Sequence, residues 1–308
     1  MGQSICRHSR TVTYYRALTC CLLLTTAAPT LGQRVANPAA DVAVATPTWA
    51  PGAGPRVLID EAHRNFHTLT GHYGPFAALL RNDGYRVEEN STSFTRHSLA
   101  KMNVLVIANA AAPEGAISAF SNAEVTAVRA WVRAGGSLLL IADHAPFAGA
   151  AASMGKAFNV SFRNYYASYA GPRGQDVFRR ASGLADHAIS RGACGDPPVT
   201  AVRSFIGSAF KAPDADPLLT LGGDFVLMRV PLGRATADEP RTSAKGLLQG
   251  ATRRFGRGRV AVLGEAAMFS SQLEGPRKIV MGFGAVGAEQ NQQFTLNLLH
   301  WLSGRPGC

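Results

Sequence analysis

The sequence predicts an α/β fold, namely a doubly wound, mostly parallel sheet with helices on both faces and an antiparallel edge. Short apolar runs alternate with stretches of helical periodicity, as expected of parallel strands joined by helices. The run 104–108 is apolar throughout, which indicates a strand buried on both faces. Near the C-terminus, Gly256-Arg257-Gly258 separates two strand-like runs and predicts a hairpin at the antiparallel edge.

The elements are predicted in order from residue 56. Pro75 suits the first turn of a helix and Gly84 suits its end. Ser121 and Glu124 form a capping box that opens a second helix, and Gly135-Gly136 ends it. The pattern weakens from 165 to 220, a stretch interpreted as an insertion over the strand ends. Strands are predicted at 56–60, 85–89, 104–108, 137–142, 160–162, 225–229, 245–252 and 259–264, and helices at 75–82, 121–134, 151–158 and 291–302.

The first 32 residues are typical of a secretory signal peptide. Three arginines precede an apolar run at 17–31 that is too short to span a bilayer. We therefore expect cleavage after Gly32 and a periplasmic or secreted protein without a transmembrane segment. The residues before Cys20 make a poor lipobox, so a lipoprotein is not expected. Residues 33–54 are predicted to be a flexible linker, 55–304 the folded domain and 305–308 a C-terminal tail.

The charge of the 308-residue chain is basic but dispersed. The formal net charge of +11 becomes 11 − 3 = +8 once the three leader arginines are removed. The densest group of arginines, at 253–259, precedes a strand and is interpreted as a solvated hairpin, so no nucleic-acid partner is expected. Of five cysteines, Cys194 and Cys308 lie beyond the leader, and an oxidising compartment would favour a disulfide between them.

Acids and histidines cluster directly after the predicted strands. Asp60, Glu61 and His63 follow the first strand, Asp143-His144 follows the run 137–142, and Glu265 follows the last strand. Ligands of open parallel sheets bind at the carboxyl ends of the strands, near the switch in strand order. We therefore expect these side chains to gather on one edge and to form a site.

The segment from Asp60 to His72 has the side chains of a metal site. Imidazole and carboxylate together suit zinc or manganese, and the predicted ligands are Asp60, His63 and His67. The spacing matches no established metal-binding motif, and histidines that only hydrogen-bond the loop backbone would produce the same sequence pattern. Glu61, Asn65 and His72 are predicted to contact substrate.

Asp143, His144 and Glu265 are the predicted catalytic residues. Burying the polar pair Asp143-His144 at the end of a strand costs free energy, which favours a functional role for it. His144 would be a general base oriented by Asp143 or Glu61. Glu265 would be an acid–base partner or, alternatively, a helix N-cap. Asp143 could equally be an N-cap and His144 a packing residue. No Gly-x-Ser-x-Gly elbow, phosphate loop or convincing dinucleotide fingerprint is present.

Residues 57–63, 130–142, 256–265 and 291–302 together resemble the class I glutamine amidotransferase-like superfamily, in a bacterial branch. The resemblance covers roughly residues 55–304 and implies a flavodoxin-like architecture. True amidotransferases carry a cysteine on the turn after a central strand, whereas this turn reads Ala142-Asp143-His144-Ala145-Pro146. The resemblance therefore does not imply glutamine hydrolysis, and many members of the superfamily are binding or scaffold domains.

The leading hypothesis is an exported protein with a polar site at the strand ends, acting as a non-thiol hydrolase, with metal-assisted hydrolysis as one form of that mechanism. The alternative is a non-catalytic envelope domain that binds a small molecule, glycan, peptide or protein. A third interpretation is a structural domain in which the polar cluster is only a hydrogen-bond network.

Overall fold

The computed structural model describes residues 1–2, 34–171, 176–193, 195–229 and 240–305. The strands are β1 (Arg34–Ala36), β2 (Arg56–Asp60), β3 (Arg86–Asn90), β4 (Val104–Ala108), β5 (Ser137–Ile141), β6 (Ser161–Tyr169), β7 (Val177–Arg179), β8 (Ala201–Arg203), β9 (Gly207–Lys211), β10 (Asp216–Thr220), β11 (Phe225–Met228), β12 (Arg241–Ser243), β13 (Leu248–Phe255), β14 (Gly258–Leu263), β15 (Ser271–Glu274) and β16 (Ile279–Gly282). The helices are α1 (Gly74–Asn82), α2 (Arg96–Leu99), α3 (Asn122–Arg133), α4 (Phe147–Ala150), α5 (Ala152–Ala157), α6 (Ala188–Arg191) and α7 (Asn291–Leu302), with a 3-10 helix at Ala267–Phe269.

The main sheet has eleven strands in the order β12-β11-β6-β9-β13-β14-β5-β4-β2-β3, with β10 paired to β13. Five strands, β3, β2, β4, β5 and β14, run parallel to one another. The chain passes from β2 outward to β3 and then returns across β2 to β4, so the strand order switches between β2 and β4. The carboxyl ends of β2, β4, β5 and β14 consequently share one edge beside the switch point.

The rest of the main sheet is antiparallel. Strand β13 pairs antiparallel with β14, β9 and β10, and β6 pairs antiparallel with β9 and β11. Strand β12 then pairs antiparallel with β11 at the outer edge. Two smaller antiparallel sheets, β1-β15-β16 and β7-β8, complete the fold.

The predicted flavodoxin-like, doubly wound, mostly parallel sheet with helices on both faces was therefore wrong. The eleven-stranded sheet is mixed, and only α1, α3 and α7 among the described helices exceed six residues. The stretch 165–220 contributes most of β6 and all of β9 and β10 to this sheet, so it is not an insertion over the strand ends. Register shifts interrupt the pairing of β6 with β9 and of β10 with β13, and the partner strands are ones that local periodicity does not reveal.

Side chains of the parallel strands alternate between two apolar clusters. Ile59 and Val106 belong to the cluster that includes Phe76 of α1 and Phe294 of α7. Leu58 and Leu105 belong to the cluster that includes Val128 of α3. The predicted capping box is confirmed, because the Ser121 hydroxyl accepts from Glu124 N while the Glu124 side chain accepts from Ser121 N.

Residues 34–54 pack against the domain, contrary to the expectation of a flexible linker. Strand β1 pairs with β15, and Val42, Val44 and Trp49 lie against the main core. The backbone N–H of Thr48 donates to Asp83 Oδ1 at 2.7 Å. The apolar side chains spaced through this segment supply the contacts that hold it.

The predicted signal peptide, apart from Met1 and Gly2, lies outside the described residues, as do Cys194 and Cys308. Within the described ranges, no helix is both long and apolar enough to span a membrane.

Candidate functional site

Polar residues that end or follow three of the parallel strands lie at the shared carboxyl edge of the sheet. Asp60 ends β2, Asp143 follows β5 by two residues and Glu265 follows β14 by two residues, and all three are buried. Asn109, which directly follows β4, lies among them and was missed by the sequence analysis. It could have been found by the same rule, because it too is a polar residue directly after a buried strand.

His63 is held between two carboxylates. Its Nδ1 lies 2.9 Å from Asp60 Oδ2, and its Nε2 lies 2.8 Å from Glu124 Oε1. The ring also packs between Phe94 and Phe120, with centroid separations of 4.6 and 4.7 Å. Both ring nitrogens are therefore used within the protein, and the group connects β2 to the first turn of α3.

The charges of this group stabilise one another. Burial by itself lowers the pKa of His63, but the hydrogen bonds and charges of Asp60 and Glu124 outweigh it and raise that pKa. Burial likewise opposes ionisation of Glu124, yet hydrogen bonds from Ser121 and His63 lower its pKa to about 2. The two flanking carboxyl groups therefore favour the protonated form of His63, which suits a structural role.

His67 belongs to a separate, uncharged network. Its Nδ1 lies 3.3 Å from Asn109 Nδ2, and its Nε2 lies 3.1 Å from Gln272 Nε2. The Oδ1 atom of Asn109 accepts from the backbone N–H of Asp143, which fixes the orientation of that amide. Since neutral His67 must donate from its other nitrogen, the Gln272 amide is better turned so that its otherwise unpartnered Oε1 accepts. Burial, and then the neighbouring His72, Arg34 and His144, hold the pKa of His67 well below its usual value.

The predicted metal ligands Asp60, His63 and His67 are therefore divided between two networks. Both nitrogens of each histidine already have protein partners. Across the described ranges, no group of three or more His, Cys, Asp or Glu side chains is arranged to hold a metal ion. The loop brings His63 to Asp60 and Glu124 but turns His67 toward Asn109 and Gln272.

The predicted substrate contacts Glu61, Asn65 and His72 all bond the loop backbone. Glu61 Oε1 accepts from the N–H of Leu69, and Asn65 Oδ1 accepts from the N–H of His63. The two ring nitrogens of His72 lie 3.0 Å from the carbonyl oxygens of Phe66 and Arg34. These contacts shape the loop, and of the three side chains only the His72 ring takes part in the aromatic surface described below.

Glu265 caps the 3-10 helix that follows it. Its Oε1 and Oε2 atoms accept from the N–H groups of Ala267 and Met268 at 2.7 and 2.8 Å. Complete burial, and then the nearby charge of Asp143, raise the pKa of Glu265 well above its usual value despite these bonds. The capping interpretation of Glu265 thus accounts for both of its oxygens, and the residue also lies within electrostatic range of Asp143.

His144 is not oriented by Asp143 or Glu61. Asp143 Oδ1 instead accepts from the backbone N–H of His144 at 2.7 Å. The His144 Nδ1 lies 2.9 Å from the carbonyl oxygen of Ala145, and the ring stacks on Tyr166 at 4.0 Å and 10°. Because a carbonyl oxygen only accepts, Nδ1 carries the proton in the neutral ring and Nε2 is left as an acceptor. The predicted Asp143–His144 side-chain dyad is absent from this described site.

Five partly exposed rings form a continuous series over the strand ends, which we call the aromatic rim: Tyr166, His144, Phe147, Phe66 and His72. Successive centroids lie 4.0, 6.2, 6.0 and 4.4 Å apart. Tyr166 lies on β6, in the part of the chain with weak periodicity, and no local signal identified it. The Tyr166 pKa is raised by burial and then by the charge of Asp143, so that carboxylate lies close to this end of the rim.

Comparison with solved structures supports the fold alone. The N-terminal domain of mmIFT52 matches with a TM-score of 0.59 and 15% identity over 80% of this chain and 97% of that one. A ThuA-like protein from Bacteroides uniformis ATCC 8492 matches with a TM-score of 0.48 and 15% identity, over 82% of this chain and 93% of that one. A cytoplasmic protein from Salmonella typhimurium LT2 matches with a TM-score of 0.49 and 15% identity, over 80% of this chain and 98% of that one.

No family model matches the chain, and no curated protein matches its sequence. The predicted membership in the class I glutamine amidotransferase-like superfamily was wrong, since no family model matches the chain and its structural neighbours include the mmIFT52 N-terminal domain. The quoted motifs mark buried strands followed by turns, and such patterns occur in many α/β proteins.

Proposed function

We propose that the protein is a non-catalytic binding domain that recognises a hydroxyl-rich ligand, such as a glycan unit, at the aromatic rim. The observation that carries the proposal is a group of three polar atoms at one end of the rim. Asp143 Oδ2, His144 Nε2 and Tyr166 Oη have no hydrogen-bond partner among the described residues, while the ring of His144 lies against that of Tyr166. Polar atoms that lack a protein partner beside partly exposed aromatic rings are suited to bind a ligand.

The chemistry of these atoms favours a ligand that donates hydrogen bonds. The Asp143 carboxylate and the Nε2 atom of neutral His144 accept, and the Tyr166 hydroxyl can donate or accept. Sugar hydroxyls satisfy this set, and the faces of Phe66 and Phe147 offer apolar surface to the carbon side of a sugar ring. Ligand sites commonly combine such aromatic walls with a few placed polar groups.

Titration calorimetry of the purified chain against cellobiose, chitobiose and maltose tests the proposal. We expect binding of at least one disaccharide without product formation. Asp143→Asn or Tyr166→Phe should weaken that binding about tenfold, the effect of losing one good hydrogen bond. The matched control is His97→Ala, which removes an exposed histidine on α2. Failure to bind any of the three sugars, or equal weakening by the control, would contradict the proposal.

A second candidate is hydrolysis with His144 as general base. One observation favours it: the Ala145 carbonyl fixes the Nδ1–H tautomer, which leaves Nε2 free to accept a proton from water. Assays with nitrophenyl glycosides and esters distinguish the two functions. Turnover that His144→Ala abolishes and His97→Ala leaves intact would select the hydrolase, whereas disaccharide binding without turnover selects the binding domain.

A further inference from the structure

A basic groove lies on the antiparallel part of the sheet. Its cavity volume is about 790 Å³. Strands β9, β6, β11 and β12 are neighbours in the main sheet, and residues on or just after them line the groove. None of the lining residues belongs to the aromatic rim or to the group around Asp143.

Each of the four strands contributes one cation. Lys211 ends β9, Arg163 lies on β6, Arg229 directly follows β11, and Lys245 follows β12 by two residues. Adjacent strands lie ~4.8 Å apart, so the four cations are distributed across about 14 Å of sheet. The positive charge is therefore spread along the groove and does not converge on one point.

These cations are not neutralised by the described part of the protein. All four side chains are exposed, and none forms an ion pair with a described acid. By contrast, Arg34, Arg56 and Arg203 each pair with a carboxylate. Unpaired like charges along one groove repel one another, and an anionic ligand relieves that repulsion.

We propose that this groove binds an acidic polysaccharide, that is, a chain of sugar rings bearing carboxylates or sulfates. The spacing of one cation per strand suits repeated charges on an extended ligand better than a single phosphate. Tyr165, which is 39% exposed, is the one aromatic among the described lining residues and offers a face for a sugar ring. Single-stranded nucleic acid is less well suited, because proteins usually stack its bases on several aromatic side chains.

Fluorescence anisotropy with a labelled heparin hexasaccharide tests the inference on the full chain. We expect saturable binding that weakens as salt increases. The pair Arg163→Ala/Lys245→Ala should weaken binding about tenfold, consistent with loss of two exposed ion pairs. Lys211→Ala/Arg229→Ala, which draws on the other two strands, should do the same and is an independent test if the first pair folds poorly.

The matched control is Arg96→Ala/Lys101→Ala, which also removes one arginine and one lysine, both exposed and far from the groove in the strand order. Labelled maltohexaose and a dT12 oligonucleotide are the comparison probes. The inference is overturned if the hexasaccharide does not bind, if the control pair weakens binding equally, or if dT12 binds more tightly. Disaccharide binding at the aromatic rim is measured separately, so failure of one proposal leaves the other intact.

Discussion

His300 should be a strong stabilising residue because it joins three distant parts of the chain. It is 2% exposed, with Nε2 at 2.7 Å from Asp83 Oδ2 and Nδ1 at 2.9 Å from Asp196 Oδ2. Asp83 also accepts from Thr48 N, and Arg305 donates to Asp196. The hydrogen bonds and charges of Asp196 and Asp83 outweigh burial and raise the pKa of His300, while that of Asp196 is lowered.

His300→Ala leaves the buried Asp83 carboxylate with one backbone hydrogen-bond donor, the N–H of Thr48. Removing one partner of a buried ion pair costs about 3–5 kcal/mol, so the variant should melt roughly 10 °C below the parent near pH 6. Urea unfolding followed by tryptophan fluorescence measures the difference, since the Trp49 ring lies 5.5 Å from that of His300.

The pH dependence gives a sharper check. A raised histidine pKa contributes stability that is complete below about pH 6.5 and is lost as pH rises through the folded-state value. The lowered pKa of Asp196 contributes stability above about pH 4 that is lost as pH falls. The difference between parent and variant should therefore be largest between about pH 4 and 6.5 and should shrink on both sides. A difference below about 1 kcal/mol, or one that is constant from pH 4 to 9, would refute this account of the network. The control His97→Ala should stay within about 0.5 kcal/mol of the parent.

Three further predictions concern the strand ends. His63→Ala should lower the free energy of unfolding by about 3–5 kcal/mol, and a chelator should leave the melting temperature of the parent unchanged; a chelator-induced drop would restore the metal hypothesis. Because the pKa of Glu265 is raised in the folded state, its contribution to stability falls as pH rises. The free energy of unfolding of Glu265→Gln, measured in urea, should therefore increase relative to that of the parent between pH 5 and 8. Asn109 has φ 52° and bonds both Asp143 and His67, so Asn109→Ala should cost about 2 kcal/mol, and Asn109→Gly should recover the part due to backbone strain. Equal stability of the alanine and glycine variants would exclude that strain.

The sequence predicted the parallel part of the fold well. The bounds of β2, β4 and α7 match the predicted 56–60, 104–108 and 291–302, and the capping box at Ser121 forms as expected. These elements are specified by nearby residues, through apolar runs, helical periodicity and end signals. The same local sequence patterns placed Asp60, Asp143 and Glu265 at strand ends, and therefore at one edge of the sheet.

The sequence could not show which partner each polar side chain would take. His63 and His67 are four residues apart, yet one bonds Glu124 on α3 and the other faces Gln272 on β15. Glu265 bonds its own helix terminus, and His144 takes the next carbonyl in place of Asp143.

The antiparallel part of the sheet was likewise decided by tertiary structure. The partners of its strands lie far along the chain, as when Leu227 of β11 pairs with Ala167 of β6. The antiparallel pairings among β12, β11, β6 and β9 place four cations in one groove, and β6 also carries Tyr166, which stacks on His144. The sequence by itself therefore determined which residues end the buried parallel strands. Only the tertiary structure decided which of them keep polar atoms without a protein partner, because hydrogen-bond partners and cross-strand neighbours depend on contacts between residues distant in the chain.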